Sequence, residues 1–249
     1  LSALYQHEQA WKERKNKKVE PAVTSSGVAK PTVDVSNLKF SHLHNHTQFS
    51  VLQSTSDVGD LVKKAAEYNM PAVAMTDHGN MYGAFQFWQS VDKQNKSIKA
   101  HNEAVDKGEK QEPKKNELKC IIGCELYVCK DHKDKSKQEN GFTQVLIAKN
   151  RIGYQNLSKL SSVGLIDGFY YVPRIDKDLL VQYKEGLIAT TGSLSGEIPN
   201  LILNVGEEQA EEAFLWYKDL FGDDFYVELN RHNLADENHV NEVLLRFAK

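Results

Sequence analysis

From residue 38 onward, short apolar runs alternate with stretches whose apolar positions return at helical spacing, which predicts βα units and a largely parallel sheet. The strand candidates are residues 39–44, 72–76, 119–128, 143–148, 187–191 and 225–229, each short and rich in Val, Ile, Leu or aromatic side chains. Between them Val58, Leu61, Val62, Ala65 and Ala66 recur on one helical face. Ala210, Ala213, Phe214, Tyr217 and Leu220 do the same ahead of a stop at Gly222. The fold class that follows is α/β. Residues 92–117 interrupt the rhythm, because apart from Ile98 and Val105 they are almost all polar; they predict an exposed insertion that extends a helix begun near Gly83 and then leaves the core.

Composition narrows the class. With 249 residues, 40% of them hydrophobic, the chain can bury a large core, yet no apolar run approaches the roughly 20 residues of a membrane span. Three cysteines, Cys120, Cys124 and Cys129, cannot form a secreted disulfide framework, so they read as core thiols in a reducing, cytoplasmic setting. The net charge of -3 is unevenly spread. Residues 197–249 hold 12 acidic against 4 basic side chains, and residues 11–30 hold 6 basic against 2 acidic. That basic run is bounded by Pro, Ser and Gly, and it reads as a solvated linker or the tail of an upstream module over residues 1–37 rather than as a nucleic-acid contact. The start at Leu1 and the unfinished helical pattern over 238–249 read as an excerpt of a longer protein.

Three stretches carry candidate chemistry. His42, His44 and His46 lie two apart, and strand alternation would put all three imidazoles on one face, a spacing that can present several nitrogens to one metal ion. Asp77 and His78 follow the apolar run 72–76 directly, at the C-terminal end of a strand, where parallel sheets carry their functional loops. Glu125 is a lone carboxylate inside an apolar strand, and a buried charge needs a metal or a cation as partner. A serine nucleophile elbow is excluded, because the centre of the Gly192–Gly196 stretch is Leu194, and no phosphate-binding glycine loop follows any strand.

Taken in order, His42-Leu-His44-Asn-His46-Thr, Thr76-Asp-His-Gly79, Gly123-Cys-Glu125 and Gly192-Ser-Leu-Ser-Gly-Glu197 resemble the motifs of the PHP (polymerase and histidinol phosphatase) domain. Ala148-Lys-Asn150, Tyr171-Val-Pro-Arg174-Ile-Asp176 and Phe225-Tyr-Val-Glu-Leu229 are similar to the version found at the front of bacterial replicative DNA polymerase III α subunits. The resemblance implies a distorted seven-stranded (β/α) barrel over residues 38–249, C-terminally incomplete in this chain, with divalent metal ions, zinc or manganese, at the strand ends. It implies His44, His46, His78 and Glu125 as metal ligands, with His42 and Asp77 as weaker candidates.

Three positions depart from the family pattern: Gln53 stands where metal-bearing members have Asp, Thr143 where they have His, and Ser193 where they have Cys. Neutral side chains there remove charge and donor nitrogen. A last D-x-H motif would fall beyond Lys249. The resemblance therefore implies a degenerate site of low metal occupancy in a structural and interaction module of a DNA-directed DNA polymerase. An active metal-dependent 3′-5′ exonuclease or phosphoesterase is the alternative, and a stand-alone PHP phosphatase a more distant one. Implied partners are DNA, through the full polymerase, and replisome subunits such as a proofreading exonuclease or a sliding clamp. No membrane is implied, and magnesium would serve polymerase domains elsewhere. Arg174 reads either as a phosphate contact or as the structural partner of Glu197, with the pairing preferred.

Overall fold

The computed structural model describes residues 38–249, so the linker expected over 1–37 lies outside the described residues. In chain order these residues form α1 (Val58–Glu67), β1 (Ala72–Met75), α2 (Ala84–Asp106), β2 (Lys119–Cys129), β3 (Phe142–Ala148), α3 (Arg151–Ile166) and β4 (Arg174–Asp176). They continue as α4 (Lys177–Tyr183), β5 (Leu187–Thr190), α5 (Glu197–Asn204), α6 (Glu207–Phe221), β6 (Phe225–Tyr226) and α7 (Ala235–Phe247). Three of these seven helices start on side-chain caps. Asp57 accepts the N–H groups of Gly59 and Asp60 ahead of α1, Asn150 caps α3 through Gly153, and Asp176 caps α4 through Leu179.

The six strands run β1-β2-β3-β5-β6, with β4 also paired to β2. All point one way except β3, which is antiparallel to both β2 and β5. The largely parallel sheet expected from the pattern is thus broken at β3, because the connection between β2 and β3 contains no crossover helix and a parallel return needs one. One face of the sheet packs on helices. Val73 and Met75 join Val62, Phe87, Val91 and Ile98 in a core under α1 and α2, while Leu126, Leu146, Ile175 and Ala189 meet Leu157, Leu160 and Tyr217 in a second. Each fully buried large aliphatic or aromatic side chain there contributes about 1.5–3 kcal/mol.

Two expectations change here. Residues 92–117 extend the helix to Asp106 and are mostly exposed, as expected, but they stay fastened to the fold: Ile98 is buried, and the Asn95 amide bonds both the N–H and the C=O of Leu118. Asn102 does the same with Lys115, so polar side chains fasten the return to the helix where apolar ones are absent.

The second change concerns closure. The described sheet has six strands and is open, so these residues do not complete the expected seven-stranded barrel. Residues 39–44 are not a strand. They lie along β1 through side chains, with the Ala72 N–H donating to Ser41 Oγ at 3.1 Å and the Asn45 amide donating to the Ala74 carbonyl at 3.1 Å. The Asn45 N–H also donates to Thr76 Oγ1 at 2.9 Å, and the Thr76 N–H returns to the Asn45 carbonyl at 2.8 Å. Ser and Asn side chains have replaced a backbone ladder on this edge. No helix among the described residues is long and apolar enough to cross a membrane.

Candidate metal centre

The inner face of the sheet, away from the helices, is apolar near the start of β2 and polar toward the C-terminal strand ends. Ile121, Val145, Ile147 and Ile188 line the lower wall of a cavity of about 800 Å³, and His44, Thr190 and Glu228 line its upper region. Two loops bring histidines to that upper end. The loop after residue 46 is clasped by Asp77, whose carboxylate accepts the Thr47 N–H at 2.6 Å, the Thr47 hydroxyl at 2.7 Å and the Ser50 hydroxyl at 2.6 Å. The His78 N–H in turn donates to Ser50 Oγ. Gly79 follows with φ +67°, and a Cβ there would lie 2.3 Å from Pro173 Cγ. The chain after His78 must therefore be glycine both for its left-handed turn and for the close approach of the 171–174 loop.

These supports bring three imidazoles onto one carboxylate oxygen. Glu125 Oε2 lies 2.6 Å from His46 Nε2, 2.9 Å from His44 Nε2 and 3.5 Å from His78 Nε2. The rings of His46 and His78 are 4.1 Å apart, and His78 stacks on Tyr127 at 5.9 Å. His44 carries a second carboxylate, Glu228 Oε1, 2.7 Å from Nδ1. Burial alone would lower the His44 pKa, but hydrogen bonds to Glu125 and Glu228 outweigh it and push it up to about 10. Burial likewise opposes charge on Glu125, and the hydrogen bonds from His44 and His46 nevertheless hold it well below the usual carboxylate range. Glu228 is lowered in the same way, against burial, by His44 and Thr190. His78 goes the other way, lowered by burial with the neighbouring imidazoles adding to it.

Two buried polar atoms beside this cluster, His78 Nδ1 and Thr143 Oγ1, have no hydrogen-bond partner. Unmet donors and acceptors are uncommon inside proteins, and each calls for a partner such as water or an ion. His44, His46 and Glu125 offer ligand atoms that all lie within 4.8 Å of one another.

The other residues singled out from sequence lie as follows. His42 is exposed, with its ring edge-on to Phe40, so the single face expected for three histidines holds only His44 and His46. The irregular backbone over 39–44 breaks the alternation that such a face requires. Asp77 is fully buried and spends both oxygens on the loop clasp, which leaves it structural. Gln53 is exposed and donates to the Tyr127 hydroxyl at 3.3 Å. Thr143 faces the cluster from β3, opposite Tyr127 in register. Ser193 sits in the turn after β5, where its carbonyl accepts the Gly196 N–H.

Arg174 and Glu197 are not a pair. Arg174 is 1% exposed and gives its guanidinium to four backbone carbonyls, those of Gly168, Glu139, His132 and Asp134, at 3.0 to 3.3 Å. Glu197 bonds Lys177 Nζ at 2.8 Å and the Tyr217 hydroxyl at 3.1 Å. The planar five-donor fork of arginine suits a ring of carbonyls, and its burial with four of the five donors engaged removes it as a phosphate contact. A second acidic and histidine grouping, Asp131, His132 and Asp176, is likewise spent: Asp176 bonds the His132 ring and caps α4, and Asp131 accepts the Lys133 N–H.

The sequence reading missed Glu228. It stands in the stretch 225–229 as a lone carboxylate among apolar residues, the same signal that draws attention to Glu125.

A model of the PHP domain matches residues 42–232. The chain belongs to the PHP domain family. Among curated relatives, the DNA polymerase III subunit alpha of Borreliella burgdorferi is 40% identical over 215 residues, covering 85% of this chain and 17% of the relative. That of Campylobacter jejuni is 40% identical over 223 residues with 85% and 17% coverage, and that of Aquifex aeolicus 40% over 220 residues with 84% and 17%. The chain thus spans 17% of the length of these relatives. A solved chain from Bifidobacterium adolescentis, provisionally named a metal-dependent phosphoesterase, aligns over 85% of both chains at a TM-score of 0.48 and 11% identity, a likeness too distant to bear on the fold. The PHP match takes in every member of the imidazole and carboxylate cluster, Glu228 included.

Proposed function

We propose that this chain is the PHP domain of a bacterial replicative DNA polymerase III α subunit, a cytoplasmic DNA-directed DNA polymerase acting in DNA replication, and that the domain serves chiefly as a structural and interaction module around a reduced metal site. The family match and the 40% identity to three α subunits support the assignment. DNA and other replisome subunits, such as a proofreading exonuclease or a sliding clamp, are then its partners through the full polymerase, and magnesium serves polymerase domains elsewhere. The same reading takes the open six-stranded sheet as a portion of a seven-stranded barrel.

The observation that carries the reduced site is the chemistry of the three positions where the family pattern has metal ligands. Gln53 is turned to the Tyr127 hydroxyl, Thr143 Oγ1 is unpartnered, and Ser193 brings neither charge nor nitrogen. The donors that converge, His44, His46 and Glu125, with His78 Nε2 3.5 Å from the same carboxylate oxygen, fit one divalent ion, zinc or manganese, and the orphaned His78 Nδ1 and Thr143 Oγ1 are consistent with a guest there. When bound, such an ion supplies Lewis acidity toward a phosphate oxygen and acidifies water. Stabilising both the attacking and the leaving oxygen of a phosphodiester takes two ions roughly 3.5–4 Å apart, and with neutral Gln53, Thr143 and Ser193 the described residues offer no second ligand set. The residues present can therefore hold and orient, but lack the means to complete hydrolysis.

An active 3′-5′ exonuclease is the competing reading, favoured by the convergence of four good donors at parallel strand ends. Elemental analysis of the purified chain, beside a 3′-5′ nuclease assay with added zinc or manganese and with chelator, separates the two. No more than one ion per chain and no chelator-sensitive cleavage is expected; two or more tightly held ions with cleavage that chelator abolishes would establish the exonuclease instead.

A further inference from the structure

Glu228 belongs to neither the ligand set implied by the resemblance nor the three altered positions, yet it is held from three directions. Its Oε1 meets His44 Nδ1 at 2.7 Å, its Oε2 accepts the Thr190 hydroxyl at 2.7 Å, and its backbone N–H donates to Thr191 Oγ1 at 2.9 Å. One oxygen and the main chain are thus tied to the end of β5 and the other oxygen to His44, which leaves the carboxylate little freedom to rotate. Among the described residues of the cluster, His44 alone has a carboxylate on each ring nitrogen: Glu228 on Nδ1 and Glu125 on Nε2. His78 Nδ1, by contrast, has no partner at all.

We propose that Glu228 is the positioning residue of the metal centre: it accepts the Nδ1–H of His44, fixes that ring's tautomer and plane, and so aims the Nε2 lone pair at the ion. The inference rests on the reading of His44 as a ligand given above. The chemistry is that of a carboxylate behind a metal-bound imidazole, which orients the ring and raises its donor strength. Thr190 has the equivalent role a step further out, by orienting Glu228. The chain Thr190–Glu228–His44–Glu125 also joins the end of β5 and the segment after β6 to the 39–46 segment and to β2.

The test uses the full 249-residue chain and cobalt(II) and zinc(II) as probes. Affinity is read by competition with a chromogenic chelator, ligand geometry by the visible spectrum of the cobalt form, and the Nδ1–H of His44 by its solvent-protected proton resonance in the zinc-loaded chain. In Glu228→Ala the affinity is expected to fall about 10–100-fold, with a changed cobalt spectrum and loss of the protected proton. Glu228→Asp should recover some of the affinity, and Thr190→Val should give a smaller loss. Glu228→Gln keeps the shape while removing the charge, so it reports even if the alanine variant folds poorly, and it should resemble the alanine variant in affinity. Wild-type affinity and an unchanged cobalt spectrum in Glu228→Gln would overturn the positioning role and leave the metal-site reading standing. Failure of the wild-type chain to bind either ion would overturn both, and the His44→Ala control, indistinguishable from wild type in that case, identifies that outcome.

Discussion

Glu125 and Arg174 are both buried charges on neighbouring strands, 1% exposed each, and they are met in opposite ways. Arg174 is answered by four carbonyls, so its charge is used up inside the protein. Glu125 is answered by three imidazoles crowded onto one oxygen, one of them at 3.5 Å, with two orphaned polar atoms alongside. Burial of a charge therefore marks a candidate site only where the surrounding valence is left unspent. The first arrangement is a fastening of loops; the second retains capacity for a guest.

The sharpest way to break this contrast is to remove the arginine. Arg174→Met strands four carbonyls and should destabilise the fold by about 3 kcal/mol or more in urea denaturation, while the fraction that folds still binds zinc. Arg174→Lys should recover only some of that loss, because an ammonium cannot reach the same ring of acceptors. The converse change, Glu125→Gln, should cost less in stability but lower zinc affinity roughly 100-fold, a ratio that corresponds to about 2.7 kcal/mol. Equal effects of the two variants on both readouts would erase the distinction.

The Arg174 region also contains a titrating group that sharpens the comparison. Burial opposes charge on Asp176, but hydrogen bonds from the His132 ring, the Leu179 N–H and the His132 N–H hold its carboxyl below the ordinary value. A depressed carboxyl contributes stability that is complete above the unfolded value near about 4 and is lost as pH falls through the folded value. Urea midpoints should therefore drop below about pH 4, and Asp176→Asn should be less stable at neutral pH with a shallower acid slope. At the small end, Lys64→Ala removes an exposed ion pair with Glu67 on α1 and should leave the melting temperature unchanged within error, since solvent already screens that pair.

Much of this contrast is legible in the sequence, for reasons that can be given residue by residue. Strands at 72–76, 119–128, 143–148 and 187–191 show in the apolar pattern, and the structure places β1, β2, β3 and β5 there within a residue or two. The Arg174–Asp176 strand does not show, because a charged residue at each end of a three-residue strand gives no alternation to read. The 39–44 segment reads as a strand only if its polar residues are counted as one face; in the structure, Ser41 and Asn45 use their side chains as backbone substitutes. At the site, residue type and spacing single out His42, His44, His46, Asp77, His78 and Glu125; the resemblance narrows the ligands to His44, His46, His78 and Glu125, and the fold brings those four near one carboxylate oxygen while leaving His42 exposed and Asp77 in the loop clasp. Spacing cannot reveal that Arg174 chooses carbonyls over Glu197, since that depends on how the 131–139 loop folds back. Glu228 carries a usable signal, but its role depends on a partner 184 residues away, which no local pattern discloses.

Among the described residues, β2 is the strand with three partners, pairing β1 through its first half and β3 and β4 through its second. Its helix-facing side is shared as well: Cys120 and Ile122 lie on the core under α1 and α2, and Cys124, Leu126 and Val128 on the other. The two cores consequently cannot melt in turn, because releasing either one strips half the ladder from a strand the other needs. The described residues should lose their order in a single cooperative step, with the amides of residues 123–128 exchanging with solvent only through global opening.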